Sequence, residues 1–207
     1  TMSIAPLQRQ NGVTMYADMN LLTFTKFPSI EQFRNMVRKV DDKCSSEECL
    51  GGHACPKPTI NFTGTVKLHG TNGGVGFNGE SILIQSRNRK ITVDEDNCGF
   101  AKFITENKQL MSVLDIVYKQ HCAETDQIFI YGEWCGKGIQ KGVAVAELDK
   151  MFVIFNVMIS GSWVSVTDIL QDHITILNSA QIYHIYQFPT WELKINFSSP
   201  LDSVDQL

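Results

Sequence analysis

The residues able to do covalent chemistry concentrate in the stretch TVKLHGTNGG, residues 65–74. Lys67 falls at the end of an apolar strand pattern and before a glycine-containing turn. A pocket edge of that kind restricts water, and an amine held there can act as a nucleophile. An alkylammonium of ordinary pKa, about 10.4, attacks poorly at neutral pH. Burial, a neighbouring cation or a bound metal ion must therefore favour its neutral form. Gly70 lets the backbone approach a nucleotide, and the Asn72 amide can hold a phosphate oxygen or a metal-bound water. Taken alone, the same ten residues also describe a surface lysine in a hairpin.

Three later segments supply what such a lysine would need. IQSRNRK, residues 84–90, ends a strand with Arg87, Arg89 and Lys90, a cationic group suited to ribose hydroxyls or phosphate. IYGEWCGKGIQKGVAV, residues 130–145, sets Glu133 at a strand end before Gly136, Gly138 and Gly142, with Lys137 and Lys141 between them. A carboxylate there can serve Mg2+ directly or through water, and the lysines can meet polyphosphate or an RNA backbone. MFVIFNV, residues 151–157, carries Phe155, whose ring can stack on adenine. Each segment has a plainer reading by itself: a solvated basic turn, a glycine-rich surface loop and a core phenylalanine.

A fourth grouping suggests a different chemistry. Cys44, Cys49, His53 and Cys55 fall within twelve residues as C-x4-C-x3-H-x-C, a candidate structural Zn2+ site. The spacing fits none of the common finger patterns, and a polar loop accounts for it equally well. The six cysteines are too few for a disulfide-stapled scaffold of this size, and in a reducing compartment they are expected as free thiols.

The elements that must position these residues read as a mixed order. Ile30, Phe33, Met36, Val37 and Val40 predict an amphipathic helix opening near Pro28 and Ser29. Asp41 to Pro58, rich in Cys, Gly and Pro, reads as a long loop. Ile60, Phe62, Val66 and Leu68 predict a strand. Short strands follow at 75–77 and 82–85, with the spacing of an antiparallel meander. Phe100, Phe103, Leu110, Val113, Leu114 and Val117 mark one long helix or two broken ones. Strands recur at 128–134, 152–159 and 163–166, and a further helix and strand are expected between Thr167 and Phe188. Strands in runs with helices between them argue an α+β fold, antiparallel sheets flanked by helices, in one domain over residues 1–207.

Composition excludes some partners. With 18 basic and 22 acidic residues in 207, the net charge of -4 leaves only a local patch for nucleic acid. No apolar run reaches membrane-helix length and no secretory leader is visible, so an intracellular, cytoplasmic protein without a membrane partner is expected. Thr1 ahead of Met2 reads as a residue left from a cloning vector.

As a set, KLHGTN, SRN, YGEWCGKGIQK and FVIFNV resemble motifs I, Ia, III and IIIa of the covalent nucleotidyltransferases, in order and approximate spacing. They look closest to the ATP-dependent RNA ligase branch that holds phage RNA ligase 2 and the trypanosome RNA-editing ligases. DNA ligases and capping enzymes usually read K-x-D-G-x-R, where this chain has His69 and Asn72. The resemblance implies Lys67 as the AMP acceptor and His69 as a helper in transfer and sealing. Asn72 and Glu133 would stand around ribose, phosphate and Mg2+ or Mn2+, Arg87 at ribose or the RNA end, and Phe155 against adenine. ATP and RNA ends, or a nicked RNA duplex, are the implied substrates. Neither a Glu-Gly motif IV nor a K-x-K motif V is found, and the closing SPLDSVDQL resembles the segment ahead of motif IV. Residues 1–207 are therefore expected to adenylylate weakly or not at all alone. A DNA ligase, a capping guanylyltransferase and a degenerate subunit that binds nucleotide or RNA ends without turnover stay open as alternatives.

Overall fold

The computed structural model describes residues 21–45 and 55–204. Helix α1 spans Phe33–Ser45, and strands β1 (Thr59–Thr65), β2 (Thr71–Phe77) and β3 (Ile82–Ser86) follow. Helices α2 (Phe100–Glu106) and α3 (Lys108–His121) precede β4 (Ile128–Cys135), β5 (Met151–Ile159) and β6 (Ser162–Val164). The chain continues through α4 (Val166–Leu170), α5 (Ile174–Ser179), β7 (Ile182–His184), β8 (Thr190–Asn196) and α6 (Pro200–Val204). Among the described residues no helix is long and apolar enough to cross a membrane.

The larger sheet runs β3-β2-β4-β5-β6, all antiparallel, with β7 added parallel to β5 along the half that β6 leaves open. One face is apolar because alternate residues point to it. Val75 and Phe77 of β2, Ile84 of β3, Ile128 and Ile130 of β4, and Phe152 of β5 join the buried residues of α2, α3 and α4 in a single core. The expected helix over 100–117 is broken at Asn107, whose side chain accepts from Leu110 N at 2.9 Å and caps α3.

Three expectations are corrected. The helix α1 begins at Phe33, leaving Ile30 outside it and 82% exposed, and it runs through Ser45 into the stretch read as loop. The strand predicted across 60–68 ends at Thr65, and it does not join the meander. It pairs with β8, a strand not foreseen, in a separate two-stranded sheet, Ile60 opposite Ile195 and Phe62 opposite Leu193. Third, β7 breaks the antiparallel rule, because α4 and α5 carry the chain back across the sheet before β7 lies down on β5.

Candidate nucleotide-binding site

The site lies on the face of the large sheet opposite the helices. Asn72 on β2 is paired with Glu133 on β4, and Ser86 with Gly73, so Arg87 is carried one step further, level with Asn72. Arg87, Asn72 and Glu133 thus form one row across three strands. Val153 is paired with Glu133. The register between β4 and β5 shifts after Tyr131/Gly132, and the bulge falls at Phe155.

Lys67 reaches this row from outside the sheet. It follows β1 in the connection to β2, and Gly70 pins that connection. Gly70 N donates to Glu133 Oε1 at 2.9 Å, and Gln140 Nε2 donates to Gly70 O at 3.1 Å. No other residue fits at 70, because a Cβ there would run into the Trp134 carbonyl oxygen and lie 2.8 Å from Cys135 Cβ. Gly70→Ala is expected to cost about 1–3 kcal/mol in denaturant unfolding, as overpacking does, and to move Lys67 off the row. An unchanged midpoint would show that the turn gives way freely.

These elements enclose a cavity of about 980 Å³. Thr63, Thr65, Lys67, Asn72, Arg87 and Glu133 make its polar side. Phe27, Pro28, Ile30, Val153, Phe155 and Ile185 make its apolar side. Five of the residues singled out in the sequence, Lys67, Asn72, Arg87, Glu133 and Phe155, meet here. His69 is exposed and off the lining, although its charge still acts on Glu133. Lys67 is also exposed, so the water-restricted pocket edge expected for it is not provided by these residues. The cationic trio of 87–90 is split. Arg89 donates to the carbonyls of Glu95 and Lys90, while Lys90 borders a different cavity near Tyr118.

Glu133 is half-buried. Burial holds its carboxyl above the ordinary carboxylate value, against the opposing pull of the Gly70 N–H and the charges of His69, Arg87 and Lys67. One partly desolvated carboxylate beside an amide is a donor set that suits Mg2+ or Mn2+, ions that keep several waters and take further oxygens from a phosphate. Glu133 and Asn72 are the residues that fit such an ion.

The zinc grouping is not shown. Cys55 is disulfide-bonded and so is no thiolate ligand, and Cys44 is a free thiol. Cys49 and His53 lie outside the described residues. Among the described residues no cluster of three or more His, Cys, Asp or Glu is placed to hold a metal.

Phe155 is half-exposed, with one side against Phe27 at 5.1 Å between ring centroids and another on the cavity. It also packs on the buried group of Cys135, Met151, Val153 and Ile185. Phe155→Leu is expected to weaken ATP binding about fivefold, since a stacked ring is worth about 1 kcal/mol, with only a small fall in melting temperature. A collapse in stability with unchanged affinity would make it a core residue only.

Four contributors escaped the sequence reading. Thr63 and Thr65 reach the cavity because β1 pairs with β8. Gln140 was passed over inside a lysine and glycine loop. Phe27 carries no local signal at all.

A cleft on an antiparallel sheet, crossed by a lysine-bearing connection after an outlying strand pair, defines a nucleotidyltransferase fold. The RNA ligase family model matches residues 60–195, well over half of the 207 residues, and the chain belongs to that family. Among solved structures it is similar to RNA ligase of Naegleria gruberi. A variant of that enzyme with AMP and Mn aligns at TM-score 0.53 and 16% identity, over 88% of this chain and 45% of that one. Another variant, with ATP and Mn, aligns at TM-score 0.51 and 17% identity, over 83% and 45%. These likenesses concern the fold, and this chain spans less than half the length of those proteins. A comparison with curated proteins returned no match.

Proposed function

We propose that this chain is the adenylylation core of an ATP-dependent RNA ligase, with Lys67 as the AMP acceptor. The observation that carries the reading is the convergence of Lys67, Asn72, Arg87, Glu133 and Phe155, from four separate segments, on one cavity. Its apolar side suits a base and its polar side suits ribose and phosphates.

In the first step Lys67 Nζ gives up a proton and attacks the α-phosphorus of ATP. A P–N bond forms, and the bond to pyrophosphate breaks with its electron pair. An RNA 5′-phosphate oxygen next attacks the same phosphorus, and the P–N bond breaks to return the lysine. An RNA 3′-hydroxyl then attacks the activated 5′-phosphate and AMP departs. Charge placement governs such transfers. Arg87 offers a guanidinium to phosphate or ribose, Asn72 an amide, and Phe155 a stacking surface. Glu133 and Asn72 would hold Mg2+, which supplies charge neutralisation at the phosphates.

The test is incubation with ATP labelled at the α-phosphate. A lysyl phosphoramidate is acid-labile and alkali-stable, and its appearance on this chain supports the reading. Labelling by GTP in place of ATP would favour a capping enzyme, and sealing of DNA nicks in preference to RNA a DNA ligase. Tight ATP binding without any adduct would favour a degenerate binding subunit.

A further inference from the structure

Gln85 is a polar residue on β3, the edge strand of the large sheet, and is nevertheless only 1% exposed. Its side chain lies on the cavity face, over the gap left by Gly74, where a Cβ would approach Gln85 Cγ at 3.0 Å and Tyr131 Cδ1 at 3.3 Å. Both ends of its carboxamide are spent on one residue far away in sequence. Thr25 N donates to Gln85 Oε1 at 3.2 Å, and Gln85 Nε2 donates to Thr25 O at 2.7 Å. Tyr131 Oη donates to the same carbonyl at 2.9 Å, and burial pushes that phenol up to about 12, so it stays a donor.

The segment so held, residues 21–32, forms no helix or strand and lacks a backbone ladder of its own. Beyond the clamp it delivers Phe27 between Phe155, Tyr131 and Trp163, at ring-centroid distances of 5.1, 5.2 and 5.5 Å. The Phe27 and Phe155 rings meet edge-on at 68°. A base sandwiched between two rings needs roughly 7 Å, twice a contact distance of about 3.5 Å. Phe27 therefore cannot be a second stacking platform. It is a buttress that sets the angle of the first.

We infer that Gln85 is a positioning residue for the base side of the cavity, clamping the backbone of Thr25 so that the 21–32 strap presses Phe27 against the Phe155 ring. The inference rests on the adenylyl reading for the identity of the base. The clamp itself stands on the geometry above. Side-chain clamping suits a wall with no ladder, because a carboxamide offers one donor and one acceptor to the same peptide.

Gln85→Met keeps length and volume and removes both hydrogen bonds. In the full chain it is expected to speed hydrogen exchange in the 21–32 segment about tenfold or more, leaving the β2 and β4 amides protected. Affinity for ATP should fall about fivefold, the worth of one stacked ring, with affinity for inorganic tripolyphosphate unchanged. Thr25→Pro removes the same N–H from the strap side without touching the core, and should repeat the pattern if Gln85→Met proves unstable. Equal loss of ATP and tripolyphosphate binding would overturn the inference, since that is general loosening. Unchanged strap exchange with unchanged ATP affinity would overturn it too. Failure of the unsubstituted chain to bind ATP would instead overturn the adenylyl reading and, with it, the assignment of the wall to a base.

Discussion

Lys67→Ala is expected to abolish the labelled adduct altogether while leaving the melting temperature within about 2 °C of the parent. Both halves follow from where the residue sits. Lys67 is exposed and makes no hydrogen bond among the described residues, so truncation opens no core cavity and removes only one of several charges that act on Glu133. Among the described residues it is also the one lysine on the cavity lining, so no neighbouring lysine there takes over as nucleophile. Lys137 and Lys141 are exposed in the loop after β4 and off that lining. An adduct retained at parental level in a folded Lys67→Ala protein would reassign the nucleophile. A large fall in stability would mean that the lysine stem packs more than its exposure indicates.

The candidate site was legible in the sequence to the extent that its residues sit at strand ends. Arg87 and Glu133 were each placed at the end of a short strand by alternation and a following glycine or charge, and Asn72 was read in the glycine-containing turn after Lys67. Antiparallel pairing then brings strand ends together without further information. Phe155 was legible as a residue of a buried strand, but its half-exposure comes from the β-bulge, which no alternation pattern reveals. The pairing of β1 with β8 was not legible, although TWELKIN alternates cleanly. Two strands more than a hundred residues apart give no local sign that they belong together. That pairing is what brings Thr63 and Thr65 to the cavity. The strap was invisible for a related reason. Its order comes from the Gln85 and Tyr131 side chains, and the sequence around Phe27 shows neither helical nor strand periodicity. Gln85 did leave a trace, as a lone amide in the apolar run ILIQS, and a buried amide must find partners. The zinc grouping was legible only as a spacing, and spacing alone does not distinguish thiolates from a disulfide-bonded cysteine.

Glu133→Gln is expected to separate function from stability in opposite directions. The carboxylate is half-buried, and burial raises its pKa despite the Gly70 N–H and the charges of His69, Arg87 and Lys67. Its unfolded value is about the ordinary carboxylate value of 4.5. A group whose folded pKa is raised gives its full stabilising contribution below the unfolded value, and loses it as pH rises through the folded value. At pH 7 the ionised carboxylate therefore weighs against folding, and a neutral amide in its place does not. The amide oxygen of Gln can still accept from Gly70 N, so the turn that carries Lys67 should be kept. The variant should melt at or above the parent at pH 7. That difference should shrink as pH falls, and vanish below about 4.5 where both side chains are neutral. Groups common to both proteins cancel in the difference. Adenylylation should fall by about 10²-fold or more, the cost of deleting one preorganised charge at a phosphoryl-transfer site. This trade is what a functional carboxylate is expected to show, since a purely structural one would be selected for pairing that lowers its pKa. Melting curves of both proteins between pH 4 and 8, beside labelled-ATP assays, decide the matter. A variant that loses stability at pH 7 relative to pH 4 would show that the attraction of the Lys67, His69 and Arg87 charges outweighs burial, making Glu133 a structural anchor of the site.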